Sequence, residues 1–274
     1  MGLFRKRNRV LALGGGSARG LCNIGVLKVL ERHYGRGNLP FDMIIGTSIG
    51  SLIGAAYCTG CPVEEMEEKA LKFNWPHLVD FGIHSTGLIK GKKLENIILD
   101  IVGDKTFKDL KIPFALTTTD LQTGEERVHT SGDLITLIRA SCSWPGIFTA
   151  VEVEGHLLAD GGVRNSIPTK AACQLGSNFM VAVNPGFGIA SHKIDNPLKA
   201  IVQSVQIMGE ELNAYQARAA NVEIRPVLQG IDQFDFDKGS FIIKEGEDAA
   251  ERQMPQIKRK LFISSIKEKI CVRR

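Results

Sequence analysis

Apolar positions along this chain alternate between two periodicities. Residues 10–13 form a continuous β-branched and apolar run that stops at Gly14-Gly15-Gly16, after which Ile24, Leu27 and Leu30 recur at helical spacing. Gly35, Gly37 and Pro40 break the pattern. Met43-Ile44-Ile45 form the next apolar run, which ends at Gly46, and helical spacing returns over residues 49–57. Strand, loop, helix, strand, turn, helix, with strands apolar throughout, predicts an α/β protein whose largely parallel sheet is covered on both faces.

Residues 62–111 read as mostly helical. Pro62 suits a first turn, and Leu94, Ile97, Ile98 and Ile101 make an apolar stripe that serves either core packing or a lid. Residues 112–119 and 126–130 read as strands joined by a turn at Gln122-Thr123-Gly124, and residues 134–140 as a helix with Asp133 near its start. Residues 149–153 and 156–159 predict a hairpin around Glu154-Gly155 that runs into a loop at Asp160-Gly161-Gly162. A buried strand over 179–183, a long helix over 197–220, a strand over 222–227 and a charged helical segment beyond Lys244 complete the reading. There is no internal repeat and no low-complexity linker.

Composition narrows this to one domain: 274 residues, 43% hydrophobic and 23% charged, suffice for a single buried core. No segment approaches the roughly 20 apolar residues of a membrane span, and no secretory signal opens the chain, so a cytoplasmic location is expected. The formal charge is +4, with basic residues gathered at Arg5, Lys6, Arg7 and Arg9 and again at Lys258, Arg259, Lys260, Lys267, Lys269, Arg273 and Arg274. Such ends are solvated tails or make peripheral contact with an anionic inner membrane face. No nucleic-acid partner is expected, and oligomeric state is left open. Gly2 lacks the Ser or Thr that myristoylation wants at position 6, which is Lys. Six cysteines in apolar surroundings fit reduced thiols; Cys58-x-x-Cys61 is isolated, without the second pair of a zinc ribbon, so no metal site is expected.

The sharpest local signal is Gly46-Thr47-Ser48-Ile49-Gly50, a G-x-S-x-G between strand and helix. In a nucleophile elbow the serine occupies a strained turn at the sheet edge, and the helix behind it points its amide end at the hydroxyl. A Gly-Thr-Ser helix cap without chemistry has the same local form. One βα unit earlier, Gly14-Gly15-Gly16 also joins a strand to a helix. If the two strands are neighbours, both turns open at the edge where α/β sheets bind ligands, and bare amides there suit an oxyanion. Arg19 either orients this loop or is a solvated helical residue. Asp160 follows a strand and precedes Gly161-Gly162, where a carboxylate can serve Ser48 as base; an ordinary Asp-Gly turn is the plain alternative. Among His33, His77, His84, His129, His156 and His192 none has motif context, and His156 is the best placed as an alternative base.

The run Leu13-Gly14-Gly15-Gly16-Ser17-Ala18-Arg19-Gly20, then Gly46-Thr47-Ser48-Ile49-Gly50, then Asp160-Gly161-Gly162 resembles the three sequence blocks of patatin-like phospholipases, in that family's order and spacing. Ser141-Cys142-Ser143-Trp144-Pro145-Gly146 and residues 163–168 are similar to its bacterial members. The resemblance implies a three-layer α/β/α sandwich and a Ser-Asp dyad that cleaves lipid acyl esters without calcium or cofactor. It places the nucleophile at Ser48, the base at Asp160 and the oxyanion amides at Gly14, Gly15 and Gly16, with Arg19, Gly20, Gly46, Gly50, Gly161 and Gly162 as supporting motif positions. Leu13 departs from the Asp that plant members often carry before the glycines. On this reading residues 1–9 are a basic tail, 10–230 the patatin-like domain and 231–274 a charged helical extension.

Two other classes compete. A nucleotide-binding module is suggested by Gly14-x-Gly16, but the next glycine is Gly20, no acidic residue ends the second strand and no P-loop is present. A catalytically silent lipid-binding or regulatory protein would keep the same fold without turnover.

Overall fold

The computed structural model describes residues 8–74, 76, 78–84, 86–189 and 194–272. Its strands are β1 (Arg9–Leu13), β2 (Met43–Thr47), β3 (Phe81–His84), β4 (Gly87–Ile89), β5 (Phe114–Asp120), β6 (Glu126–His129), β7 (Gly146–Phe148), β8 (Val151–Val153), β9 (His156–Asp160), β10 (Phe179–Val183) and β11 (Val222–Ile224). Its helices are α1 (Cys22–Tyr34), α2 (Ile49–Thr59), α3 (Val63–Leu71), α4 (Lys92–Val102), α5 (Leu134–Ser141), α6 (Gly162–Asn165), α7 (Thr169–Gln174), α8 (Pro197–Gln216) and α9 (Gly239–Val272). The main sheet has the order β11-β10-β1-β2-β5-β9-β8, with β6 also on β5. The pairings from β11 to β5 are all parallel, and those of β6, β8 and β9 antiparallel.

Alternation along the strands divides the interior. Leu11 and Leu13 of β1 and Val181 and Val183 of β10 enter a large core shared with α1, α2, α5 and α9, whereas Val10, Ala12 and Ala182 enter a smaller one against α7. The result is a three-layer α/β/α sandwich with unequal outer layers. Local caps agree with the sequence: Asp133 accepts from the Thr136 amide at 2.9 Å to start α5, and Asn196 does the same for α8 ahead of Pro197.

Three expectations need correction. The 62–111 stretch is not mostly helical throughout, because β3 and β4 form a hairpin that joins β7 in a separate three-stranded sheet. These strands are three or four residues long, too short for their alternation to register. Arg9, grouped by sequence with the basic tail, is the first residue of β1 and is buried; its Nη2 donates to Ser265 Oγ at 2.7 Å. The segment set apart as a charged extension contributes Ile242, Ile243, Ala250 and Ile257 to the large core, where α9 lies along α1. Contact between these two helices is backbone to backbone. A Cβ on Gly25 would sit 2.0 Å from the Ile243 carbonyl, and one on Gly246 2.2 Å from that of Cys22. Arg5, Lys6, Arg7, His77, His192, Arg273 and Arg274 lie outside the described residues. Among those described, no helix is long and apolar enough to cross a membrane.

Candidate active site

The site is assembled by strand β5. Its Thr117 pairs with Thr47 of β2 and with Val128 of β6, and its next residue, Thr118, pairs with Asp160 of β9 and with Arg127 of β6. Since β6 holds one edge across both positions, β2 and β9 share the other edge and meet end to end. The last residue of β9 therefore arrives beside the turn that follows β2. Across this junction the Ser48 hydroxyl donates to Asp160 Oδ2 at 2.6 Å.

Ser48 sits at φ 53°, ψ −129°, outside the regions an L-residue prefers, and caps α2. The flanking glycines allow this turn: a Cβ on Gly46 would lie 2.4 Å from the Gly50 carbonyl, and one on Gly50 2.3 Å from that of Leu13. The strained residue is held from both sides. Its amide donates to Ser141 Oγ at 2.9 Å, and Ser141 Oγ donates to the Thr117 carbonyl at 2.8 Å. Its carbonyl accepts from the amide of Ser51 at 2.7 Å and from that residue's hydroxyl at 2.6 Å. Ser141 opens a block marked by the family resemblance, but its contact with Ser48 is visible only in the structure, where α5 ends beside β2 and β5.

Asp160 is buried. Its Oδ1 accepts from the Gly162 amide at 2.7 Å, and its own amide donates to the Ser143 carbonyl at 2.9 Å. Burial pushes its carboxyl up to about 6, against the opposing pull of hydrogen bonds from Ser48 and Gly162. Gly161 packs on Thr117 and Gly20 on Ile49, each so closely that a side chain would force a shift. Behind Asp160, the buried Arg139 donates to the carbonyls of Lys90, Gly91 and Thr149 and contacts the Ser143 hydroxyl, fixing the segment from which Asp160 hangs. Cys142 also lies here, its thiol pushed up to about 12 by burial and then by the charge of Asp160, which keeps it out of acid-base work at neutral pH.

The glycine loop requires a correction. The amides of Gly14 and Gly15 are already engaged, donating to the carbonyls of Val183 at 3.1 Å and Ser166 at 2.9 Å. Three open amides were expected from three glycines, yet tertiary contacts consume two of them to fix the loop. Among the described residues, the amides of Gly16 and Ser17 donate to no protein acceptor. Ser17, at φ 50°, lines the cavity beside Gly16, and an open backbone amide leaves no mark in the residue type. Arg19 is buried, not solvated. Its guanidinium donates to the carbonyls of Pro185, Gly186, Leu228 and Ile231, at 2.7 to 3.1 Å, and so ties the loop to two distant segments.

His156 is not placed to act as base. Its Nδ1 lies 2.9 Å from Asp120 Oδ2, at the opposite end of β9 from Asp160, about 13 Å along the strand. His129 faces Thr118 and burial lowers its ring to about 4, while His33 lies against Glu251. Cys58 and Cys61 are unpaired thiols that burial raises.

Both turns open onto one cavity of about 680 Å³ whose walls include Leu52, Ile53, Leu94, Ile97, Trp144 and Phe148. An apolar chamber with a serine, a buried carboxylate and free amides at one end suits an ester with a hydrocarbon arm. It suits a nucleotide less well, since the walls are largely apolar and two of the loop amides are taken by Val183 and Ser166.

Comparison with known proteins gives the family and the fold. The chain is 34% identical over 184 residues to neuropathy target esterase sws of Drosophila melanogaster, which covers 64% of this chain and 13% of that protein. It is 36% identical over 166 residues to the Drosophila grimshawi counterpart, covering 58% and 11%. The chain thus spans about an eighth of the length of these relatives. Among solved structures, VipD from Legionella pneumophila superposes with a TM-score of 0.51 at 11% identity, over 92% of this chain and 67% of that one, a likeness of fold alone. A family model described as patatin-like phospholipase matches residues 11–173, which hold both glycine turns, Ser48 and Asp160, and the chain belongs to that family.

Proposed function

We propose that this protein is a serine acyl hydrolase acting on lipid esters through Ser48 and Asp160, and that the short hydrogen bond between them inside an apolar cavity is the observation that carries this reading. The membership of the patatin-like phospholipase family and the esterase name of its relatives support it. Ser48 Oγ attacks the ester carbonyl while Asp160 Oδ2 takes its proton. The carbonyl electrons move onto oxygen, where the amides of Gly16 and Ser17 and the positive end of α2 stabilise the charge. Collapse of this intermediate breaks the bond to the alcohol, and Asp160 returns the proton to the departing oxygen. Water, deprotonated by the same carboxylate, then attacks the acyl-Ser48 carbonyl; the second intermediate breaks its bond to Ser48 Oγ, which takes that proton back from Asp160 as the fatty acid leaves. A carboxyl near pH 6 is a better partner for a hydroxyl than an ordinary one near 4, and burial supplies that difference.

Ser48→Ala and Asp160→Asn are each expected to lower kcat/KM on a butanoyl nitrophenyl ester by at least about 10³-fold while circular dichroism stays unchanged. A fluorophosphonate probe is expected to label wild type at Ser48 and to leave Ser48→Ala unlabelled. Full activity in the Ser48→Ala protein excludes the mechanism, and a wild type that is neither labelled nor active is the silent lipid-binding protein instead.

A further inference from the structure

The cavity walls Leu52, Ile53 and Phe148 belong to the large core. On the other face of the sheet, the smaller core turns polar as it approaches Ser48. Ala115, Thr117 and Thr119 share that side of β5, and Val128 and Glu126 share it on β6, since Thr117 pairs with Val128 and Thr119 with Glu126. Thr47 of β2 joins them. Its hydroxyl donates to the Asn165 carbonyl at 3.1 Å and so accepts from the Thr117 hydroxyl at 2.8 Å. The Asn165 side chain completes the group, its Nδ2 donating to Glu126 Oε1 at 2.5 Å. Thr47, Thr117 and Asn165 are all buried.

This group holds the segment that follows Asp160. Helix α6 has four residues, a single turn that cannot fix its own position. Its first residue, Gly162, donates its amide to Asp160 Oδ1 at 2.7 Å. Its last, Asn165, is tied to Thr47, the residue before Ser48, and the next residue, Ser166, accepts from the Gly15 amide at 2.9 Å. One short stretch thus touches the carboxylate, the elbow and the glycine loop. Gly162 and Ser166 line the cavity, whereas Asn165 and Glu126 do not. Among the described residues, Glu126 Oε2 and Asn165 Oδ1 are buried without a donor, so the two side chains are joined by one hydrogen bond, a poor source of stability for a buried carboxyl. Burial pushes that carboxyl up, against the pull of Asn165, Lys170 and Arg164; with a proton on Oε2 or without one, Oε1 accepts from the Asn165 amide.

We infer that Glu126 is a positioning residue of the site: by holding the Asn165 side chain it keeps α6 in register with the elbow and the glycine loop, and so sets where Asp160 stands relative to Ser48. This rests on the acyl-hydrolase reading and adds to it a residue that substrate does not touch. Misplacing a reacting group by about 1 Å, from a position away from the chemistry, costs on the order of 10²-fold in rate. Substrate binding is little altered, because the cavity walls stay where they were.

The test is steady-state kinetics on the butanoyl nitrophenyl ester, with melting temperature recorded for each variant. Glu126→Ala is expected to lower kcat at least about tenfold with KM within about twofold of wild type. Glu126→Gln, which keeps an oxygen for Asn165, is expected to stay within about threefold of wild type in both constants. Glu126→Ala combined with Asn165→Ala is expected to lose no more than the slower single variant, since both remove the same bond. Wild-type kcat in Glu126→Ala overturns the inference, as do a loss carried by KM, a Glu126→Gln protein as slow as Glu126→Ala, and losses that multiply in the double variant. If Glu126→Ala does not fold, Glu126→Asp, which withdraws the oxygen by one methylene, takes its place with the same expected loss in kcat. A wild type that neither turns over the ester nor takes a fluorophosphonate refutes the acyl-hydrolase reading alone. The tie is then decided by amide hydrogen exchange: Gly15 and Gly162 are expected to exchange at least about tenfold faster in the folded variant than in wild type, and at the wild-type rate in Glu126→Gln. Unchanged exchange in the folded variant overturns it.

Discussion

Asp160 illustrates how burial converts an ordinary residue into a reactive one. Its carboxyl titrates near 4 in an unfolded chain and about 6 here, because the charged form has lost water and regains only two hydrogen bonds. In the proposed mechanism the base must be ionised, so kcat/KM on a short ester is expected to fall about tenfold per pH unit below 6 and to level off above it. A profile flat down to pH 5 assigns the proton acceptor elsewhere. Stability moves the opposite way from the usual carboxylate. Between roughly pH 4 and 6 the native state binds the proton that the unfolded state has released, so stability declines as pH rises through that window and stays lower above it. Asp160→Asn removes the buried charge, and its unfolding free energy at pH 7.5 is expected to exceed that of wild type by up to about 3 kcal/mol, with no difference below pH 4. Calorimetry of the two proteins at both pH values checks this; a variant less stable than wild type at pH 7.5 contradicts it.

Elements here are fitted to one another through backbone as much as through side chains. Helix α9 reaches α1 closely enough that Ile243 and Cys22 present carbonyls where Gly25 and Gly246 have no Cβ. Gly246→Val must separate the helices or distort one of them, and both loosen the shared core around Leu21, Ile243 and Ala250. The expected loss is about 3 kcal/mol or more by denaturant titration, whereas Gly124→Val, at a turn with open space around it, is limited to the strain of its positive φ. Equal midpoints for the two variants rule out close packing as the reason for Gly246. The elbow obeys the same logic: α2 can start only where Gly46 and Gly50 permit, and α5 must end nearby for Ser141 to hold the turn.

At the scale of the molecule, three stretches far apart in sequence meet at the glycine loop. Gly14 leans on β10, Gly15 on the segment after α6, and Arg19 on the loops at 185–186 and 228–231. Replacing Arg19 with Met leaves four buried carbonyls without their donor and frees the loop that carries the amides of Gly16 and Ser17. Arg19→Met is expected to lower kcat on short esters at least tenfold with KM changed little, alongside a reduced melting temperature; Arg19→Lys, which supplies a charge but not the fork of donors, is expected to recover little of either. A variant with wild-type kcat shows that the loop holds its shape without this tie.

Much of this was legible from one-dimensional pattern. Continuous apolar runs with glycine punctuation specify β1, β2 and their helices because strand and helix periodicities are local, and an elbow needs glycines at fixed spacing from its serine. Other features were not legible, for a physical reason each. The short strands β3, β4 and β7 carry too few residues to show a period. The amides of Gly14 and Gly15 look open in sequence and are taken by Val183 and Ser166, since a backbone donor finds its acceptor through folding and not through spacing. Arg19 reads equally as a residue that orients the loop and as a solvated one, and folding decides between them because four carbonyls from elsewhere converge on it. The sequence by itself determined the local turns on which Ser48 and Asp160 sit, because glycine spacing and strand-to-helix periodicity are local. Only the tertiary structure decided that Ser48 and Asp160 meet, because β2 and β9 abut along one edge of β5, and strand pairing between segments a hundred residues apart is set by the packing of the whole sheet.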